Sequence, residues 1–238
     1  MQTQLEMEND MGLDSDKLPI TAEVYNMVKE QIVTLKILPG QLLMVQQLSK
    51  EYGISRTPVR EALIRLKEEG LINQADGRKF QVSYITWKLI KDIFQARESV
   101  EKTSIEYAAM NYNKKMEKSL DNIMERMEKS FHDNAYEEYF KVDAELHSWM
   151  LQTLGNSVIM NWMERISDQQ QRIRYATMGI STSMDVSIGE HRKMVEAIKS
   201  NDVDTARKEM HNHLKRALQD ILKLKERANP YLTTFIQD

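Results

Sequence analysis

The stretch ILPGQLLMVQQLSKEYGISRTPVREALIRLKEEGLI, residues 37–72, decides the fold of the N-terminal part of the chain. It opens with a turn signal, Pro39-Gly40. A helical run over Val45 to Tyr52 then ends at Gly53, and a second run follows from about residue 56 to residue 69. The stretch therefore predicts two short helices joined by a tight turn.

The flanking residues add one helix before this pair and a hairpin after it. A helical run covers Ala22 to Leu35, and Leu71 to Tyr84 alternates around the turn dipeptide Asp76-Gly77. The order of helix, tight turn, helix and basic hairpin is typical of a winged helix-turn-helix. We therefore predict such a domain over residues 18–85.

The second helix of the pair carries two arginines at its N-terminal end. Arg56 and Arg60 are four residues apart and so project from one face, where they could bind a guanine edge or a phosphate in the major groove. Ser55 and Thr57 could add phosphate contacts, and either could cap the helix because Pro58 is tolerated in a first turn. By spacing alone, the two arginines could equally be solvated charges on a helix of some other bundle.

The segment SRTPVREAL, from Ser55 to Leu63, closely matches the recognition helix of the GntR family of regulators, and residues 20–85 resemble that family's DNA-binding domain. The resemblance implies that Arg56, Thr57, Arg60 and Gly77 contact DNA. The full predicted DNA-binding set is Gln46, Ser55, Arg56, Thr57, Arg60, Gly77 and Arg78.

Two departures from the family pattern concern this surface. Gln46 and Gln47 stand where many members have a charged residue, and the wing lacks the arginine often found just before Gly77. We therefore expect DNA binding to be less electrostatic than in relatives.

Composition narrows the class of protein. The chain has 238 residues, 41% hydrophobic and 29% charged, which gives room for two ordinary globular domains. No apolar run approaches the ~18 residues that span a bilayer, and residues 1–16 carry five acidic side chains without Lys or Arg, unlike a signal peptide. We expect a disordered acidic tail over residues 1–17 and a cytoplasmic protein with no membrane partner. The absence of cysteine excludes disulfides and thiolate metal ligands.

Charge is distributed unevenly along the chain. The net charge of −3 argues against a protein that coats nucleic acid indiscriminately. Residues 17–85, in contrast, hold ten Lys or Arg against seven Asp or Glu. The weak basic excess thus lies where a phosphate-binding surface would be useful.

The rest of the chain contains far fewer residues that interrupt helices. Residues 86–229 contain no proline and only three glycines, and apolar residues recur there at spacings of three and four. This pattern predicts an all-helical bundle over residues 86–230, followed by a C-terminal tail at 231–238. The fold class is therefore mainly α, with an N-terminal winged domain and a C-terminal helical domain.

Four ligand-type side chains fall on apolar stripes of the predicted helices. Asp143 and His147 are one helical turn apart on the same stripe, and His191 and His213 lie on inner stripes of two other helices, whereas His211 points elsewhere. A single inward histidine is usually a hydrogen-bonded core residue. One aspartate and three histidines together suit a divalent ion such as Zn, Ni or Mn, although periodicity cannot show that the three helices converge.

Residues 90–225 resemble the FCD effector domain found in the FadR branch of GntR regulators. The matching sequence motifs are RESVE at 97–101, DAELH at 143–147, GN at 155–156, EH at 190–191 and MHNHL at 210–214. The resemblance implies that Asp143, His147, His191 and His213 hold a divalent metal. It also implies that small organic carboxylate effectors bind beside the metal or on its open positions.

Such an anionic effector would need cationic partners. Arg97 lies on an inner stripe and belongs to the matching motif, although it could instead form an internal salt bridge with Glu101, one turn away. Arg172 and Arg174 could also reach the pocket, but because they are two residues apart they cannot both face it. The predicted effector-binding residues are therefore Arg97, Arg172 and Arg174.

Taken together, these features predict a transcription regulator, which we expect to act as a repressor. A homodimer would place one winged domain on each half of a pseudo-palindromic operator, and the carboxylate effector would change operator affinity. A regulator with a purely structural metal and no effector is the main alternative. A metal-dependent hydrolase is a remote one, because the chain has no HExxH motif, phosphate-binding glycine loop or nucleophile elbow.

Overall fold

The computed structural model describes residues 18–75, 79–178, 184–226 and 230–238. The N-terminal elements are α1 (Ile20–Val33), β1 (Leu42–Leu43), α2 (Val45–Tyr52), α3 (Arg56–Glu68), β2 (Ile72–Gln74) and β3 (Phe80–Val82). The C-terminal elements are β4 (Ile85–Thr86), α4 (Trp87–Asn111), α5 (Lys114–His132), α6 (Tyr136–Gln152), α7 (Ser157–Thr177), α8 (Met184–Lys199), α9 (Val203–Glu226), α10 (Pro230–Thr233) and β5 (Ile236–Gln237).

The N-terminal elements form the predicted winged helix-turn-helix. Helix α2 ends at Gly53, whose left-handed φ of 67° is easily adopted by glycine and allows the tight turn into α3. Strands β1, β3 and β2 form an antiparallel sheet in that order, with Ile72 opposite Val82 in the hairpin register. Apolar residues from all three helices and the sheet pack into one core, including Val24, Val28, Ile32, Leu48, Val59, Leu63, Leu66, Ile72, Phe80 and Val82. The wing residues 76–78, which include the predicted DNA contacts Gly77 and Arg78, lie outside the described part of the chain.

Helices α4 to α9 form the predicted bundle, with α4 packed along α9 and against α6 and α7. Side chains cap several of these helices: Thr86 Oγ1 accepts from Leu89 N at the start of α4, and Asn156 Oδ1 accepts from Val158 N and Ile159 N at the start of α7. One apolar cluster lies between α4, α5, α6, α8 and α9, and a second joins α4, α7 and α9 to the C-terminal residues. The mainly α fold class is thus confirmed.

The expectation of a separate tail at residues 231–238 is wrong. The residues form α10 and β5, and β5 pairs in parallel with β4, placing Ile236 opposite Ile85. Leu232, Phe235 and Ile236 are buried. Burial of these three apolar side chains stabilises the segment against the bundle, because each removes apolar surface from water.

A helix needs about 20 predominantly apolar residues to cross a bilayer. None of the helices in the described ranges combines enough length with enough hydrophobicity to do so.

Candidate DNA interface and candidate metal centre

The N-terminal end of α3 presents the predicted DNA-contacting side chains to solvent. Ser55, Arg56, Thr57 and Arg60 are all exposed, and so is Gln46 on α2. On the opposite face, α3 buries Val59, Ala62, Leu63 and Leu66 in the winged-domain core. The helix is therefore anchored by one face, and the other remains available.

The polar groups at this end of α3 have unused bonding capacity. Ser55 occupies the N-cap position in extended backbone conformation, yet its side chain makes no capping hydrogen bond. Neither Arg56 nor Arg60 forms an ion pair with any described residue. Free donors and helix-end amides of this kind suit phosphate or base contacts, so the assignment of these residues to DNA remains a prediction that the geometry allows.

Three helices of the bundle bring Asp143, His147, His191 and His213 together. Asp143 and His147 come from α6, His191 from α8 and His213 from α9, and their relative exposures are 4%, 8%, 0% and 4%. One ligand-type atom from each residue lies within 4.8 Å of the others. The cluster exists because all four residues are at inward positions of amphipathic helices, as the sequence spacing predicted.

Individual distances show how closely the side chains approach. His191 Nε2 lies 3.2 Å from Asp143 Oδ1, and His147 Nε2 lies 4.0 Å from Asp143 Oδ2. The ring centroids of His191 and His213 are 4.6 Å apart, and that of His147 is 5.4 Å from that of His213. Nitrogens of the three histidine rings and the Asp143 carboxylate thus lie close enough together to bind a single cation.

Two further carboxylates contact the outer nitrogens of the cluster histidines. His213 Nδ1 lies 2.8 Å from Glu190 Oε2, within hydrogen-bond distance. His147 Nδ1 lies 2.7 Å from Glu101 Oε2, although this contact is not aligned as a hydrogen bond. A carboxylate on the far nitrogen fixes the tautomer of a histidine and leaves Nε2 free for a metal.

Arginines in turn orient those carboxylates. Arg97 donates from Nε to Glu101 Oε1 at 2.6 Å, and Arg216 donates from Nε to Glu190 Oε1 at 2.6 Å. Arg216 also donates to Ser187 Oγ at 2.7 Å. The outer groups of the cluster are therefore held by fixed partners on neighbouring helices.

Burial and charge set the protonation of the cluster. Burial lowers the pKa of His191 well below its usual value and also lowers the pKa of His213, which favours the neutral, metal-binding form of both rings. Burial alone would raise the pKa of Asp143, but nearby positive charge, first of all on the Arg174 guanidinium, holds it well below the usual range. At neutral pH the cluster therefore offers the neutral imidazoles of His191 and His213 and the ionised carboxylate of Asp143.

These residues fit a divalent cation. Both ring nitrogens of His191, and both of His147, are buried without a hydrogen-bond partner among the described residues. Buried polar atoms without partners are costly, and a cation bound by one nitrogen of each ring would remove that cost for the nitrogen that it binds. Three nitrogen donors and one oxygen donor suit Zn, Ni or Mn, and without a thiolate nothing selects among them.

The three arginines predicted to bind an effector occupy different environments. Arg97 forms the internal salt bridge with Glu101 that was the alternative interpretation. Arg174 donates from Nη2 to Asp143 Oδ2 and therefore faces the cluster. Arg172 points elsewhere, because two residues of helix rotate it to another side of α7, and it donates to the backbone oxygen of Ser83 and to Gln169 Oε1.

Glu190 and Arg216 are two further residues of the site to which the sequence pattern assigned no role. Glu190 precedes a predicted ligand, so helical phase alone would aim it away from the cluster, and only the packing of α8 on α9 brings it to His213. Two signals were available: Glu190 belongs to the EH motif at 190–191, and Arg216 lies three residues after His213, at an adjacent position of the same helix face.

Family models match both halves of the chain. Residues 20–82 match the model described as bacterial regulatory proteins of the gntR family, and residues 92–216 match the FCD domain. The matched regions coincide with the winged domain and with helices α4 to α9.

Two relatives in sequence and one solved structure are consistent with the matches to these family models. The HTH-type transcriptional regulator YdhC of Bacillus subtilis (strain 168) is 24% identical, covering 89% of this chain and 98% of its own. The HTH-type transcriptional repressor RspR of Escherichia coli (strain K12) is 21% identical, with coverages of 90% and 94%. The solved structure of E. coli McbR/YncC has a TM-score of 0.76 at 18% identity and covers 88% of this chain and 100% of its own, a likeness of fold.

The two relatives from Bacillus subtilis and Escherichia coli (strain K12) are named as a transcriptional regulator and a transcriptional repressor, which favours a regulator over the hydrolase alternative. The chain is a DNA-binding transcriptional regulator that belongs to the GntR family, with an N-terminal GntR helix-turn-helix and a C-terminal FCD domain.

Proposed function

We propose that a small organic carboxylate effector controls operator binding by this regulator. The effector would bind at a divalent metal held by Asp143, His147, His191 and His213. The single observation that carries the proposal is the convergence of these four buried side chains, with ligand atoms within 4.8 Å of one another. The contacts of Glu101 and Glu190 to the outer nitrogens of two ligands support it, since such contacts orient metal-binding histidines.

A carboxylate effector is favoured by the chemistry of the cluster. When bound, a cation of this class with four protein ligands and octahedral preference would offer open coordination positions to an anionic oxygen. Arg174 and Arg216 add positive charge around the cluster. A neutral or cationic effector would gain nothing from these groups.

The DNA-binding half of the proposal is a homodimer on a pseudo-palindromic operator in the cytoplasm. One winged domain would bind each half-site through Ser55, Arg56, Thr57 and Arg60 of α3, with Gln46, Gly77 and Arg78 as further contacts. The repressor names of two relatives, RspR and NanR, support repression as the direction of control. Coupling between effector and operator would be about 1–3 kcal/mol, or roughly 5- to 150-fold in DNA affinity.

The test compares protein loaded with Zn²⁺, Ni²⁺ or Mn²⁺ with protein treated with a chelator. Each form is screened by thermal shift against a panel of small carboxylic acids, since a ligand specific to the folded state raises the melting temperature by mass action. DNA affinity is then measured with a fragment selected by the wild-type protein from genomic DNA.

We expect a melting-temperature rise that occurs only with metal present and an accompanying change in DNA affinity. If chelation lowers stability but no acid shifts the melting temperature, the metal is structural and effector control is rejected. If no metal binds at all, the proposed metal centre itself is rejected.

A further inference from the structure

Helix α7 contacts both the candidate metal centre and the winged domain. Near its C-terminal end, Arg174 donates to Asp143 Oδ2 and, at 3.0 Å, to the backbone oxygen of Phe140 on α6. Six residues earlier, Asp168 Oδ2 forms an ion pair with Lys29 Nζ of α1 at 2.6 Å. At a rise of about 1.5 Å per residue, the two contacts lie roughly 9 Å apart along one stiff helix.

The contact on α1 continues to the DNA-reading helix. Lys29 Nζ also donates to Tyr25 Oη at 3.1 Å, and Tyr25 Oη donates to Glu69 Oε2 at 2.7 Å. Glu69 caps the C-terminal end of α3, and the Arg65 guanidinium of α3 lies 3.7 Å from the centre of the Tyr25 ring. Three consecutive polar links therefore run from Asp168 of α7 to the end of α3.

The contact region between α7 and the end of the winged domain, here called the joint, contains a buried positive charge that no carboxylate of the described residues neutralises. Arg172 is fully buried between α7 and the end of the winged domain, and its partners among the described residues are the backbone oxygen of Ser83 and the side chain of Gln169. Its Nε has no partner there, and burial lowers its pKa to about 10. A buried cation without a carboxylate is costly, so partial opening of this joint, which rehydrates the guanidinium, costs less than opening an apolar joint would.

We propose that α7 couples the metal centre to DNA reading. Arg174 is a positioning residue for the Asp143 carboxylate, and Asp168 is a positioning residue for α1 and, through Tyr25 and Glu69, for α3. A change in how Asp143 is held alters the Arg174 contact, shifts α7 and changes the orientation of α3. The biological role of this link rests on the proposed metal control of DNA binding, but the link itself can be tested without metal.

Helix α4 offers the competing route. It follows the winged domain directly through β4, and its Glu101 contacts His147. A test must therefore separate the effect of Arg174 from that of Glu101.

The experiment is hydrogen exchange measured by mass spectrometry on the full-length, chelator-treated protein. The variants are Arg174→Gln, Asp168→Asn and Glu101→Gln, and the control is Arg192→Gln, which removes an exposed ion pair between α8 and α5. We expect Arg174→Gln to raise exchange several-fold in α1 and in the last turn of α3, regions that it does not touch. Asp168→Asn should do the same, the double variant should add little to either single one in α1, and the control should leave α1 unchanged.

Either of two results from the folded single variants in the metal-free arm would overturn the inference. The first is unchanged hydrogen exchange in α1 and α3 of a folded Arg174→Gln protein. The second is faster exchange in α1 of the Glu101→Gln protein when the Arg174→Gln protein shows none. If Arg174→Gln does not fold, Asp168→Asn still decides, because a mechanical link must also loosen the C-terminal end of α7 and the Asp143 turn of α6. If Asp168→Asn shows no such loosening, the inference is overturned.

A second arm adds Zn²⁺ and separates this inference from the proposed function. Protection confined to α6, α8 and α9 in the wild type would support a metal centre but overturn coupling through α7. Protection that reaches α1 in the wild type and stops at α7 in Asp168→Asn supports both. If Zn²⁺ protects nothing, the proposed metal control fails while the metal-free arm still decides the α7 link.

Discussion

The N-terminal end of α3, which we propose reads DNA, and the four-residue cluster are built in opposite ways. The first presents Ser55, Arg56, Thr57 and Arg60 to water from one short helix. The second buries its groups at the meeting point of three helices distant in sequence. A change on the exposed surface should therefore alter binding without altering folding, whereas a change in the buried cluster should alter both.

The largest effect is expected for removal of a cluster ligand. His213→Ala should abolish specific metal binding, since it removes one of four donors, and it should leave Glu190 partly buried without its histidine partner. Metal content after equilibrium dialysis against Zn²⁺ or Ni²⁺ measures the effect. His211→Ala is the matched control, because this neighbour is 41% exposed and pairs with Glu98 instead. Equal metal loss in both variants would contradict the assignment.

The next effect concerns the carboxylate behind a ligand. Glu190→Gln should lower metal affinity by about 10- to 100-fold without abolishing it, because loss of the orienting charge weakens His213 as a donor. Competition titration with a fluorescent zinc chelator measures the change. Glu196→Gln, an exposed position on the same helix, should leave metal affinity unchanged. An affinity loss as complete as that of His213→Ala would mean that Glu190 is itself a ligand.

The exposed surface should respond in DNA affinity alone. Arg56→Ala and Arg60→Ala should each weaken operator binding by about 1–3 kcal/mol if the side chain reads a base, while the melting temperature and metal content stay unchanged. Fluorescence anisotropy on the selected operator measures the loss. Lys67→Ala, an exposed change at the other end of α3, should have a smaller effect. Unchanged affinity in both arginine variants would reject α3 as the reading helix.

The same contrast explains how much could be predicted from the sequence. Helix α3 and its exposed arginines follow from local signals, namely Gly53, the N-cap position and four-residue spacing. The inward positions of Asp143, His147, His191 and His213 follow from helical periodicity, but their convergence depends on how α6, α8 and α9 pack. No local pattern contains that information.

Three features depended on this packing and escaped prediction. Strand β5 has two residues and pairs with β4, which lies about 150 residues earlier, so no periodicity could show it. The role of Glu190 depends on the neighbouring helix rather than on its own. Helical periodicity predicted that Arg172 and Arg174 point in different directions. Only the fold shows that Arg174 faces Asp143 and that Arg172 faces Ser83 at the end of the winged domain.

The smallest effect is expected at the exposed counterpart of the Glu190–His213 pair. Glu98 Oε1 lies 2.7 Å from His211 Nδ1, nearly the same separation as in the buried pair, but both side chains are well exposed. In chelator-treated protein, Glu98→Gln should cost no more than about 1 kcal/mol of unfolding free energy at neutral pH, because solvent screens exposed ion pairs. Urea unfolding measures the cost, and Glu125→Gln, an exposed charge without a described ion pair, is the control.

The pH dependence of that small cost has a definite sign. The hydrogen bond from His211 lowers the pKa of Glu98 below the usual 4.5, so its contribution to stability is full above that pH and is lost as the pH falls through the lowered value. The difference between wild type and Glu98→Gln should therefore shrink as the pH is lowered below 4.5 within the folded range. A cost above about 2 kcal/mol, or one that grows on acidification, would show that burial does not account for the difference between the Glu98–His211 and Glu190–His213 pairs.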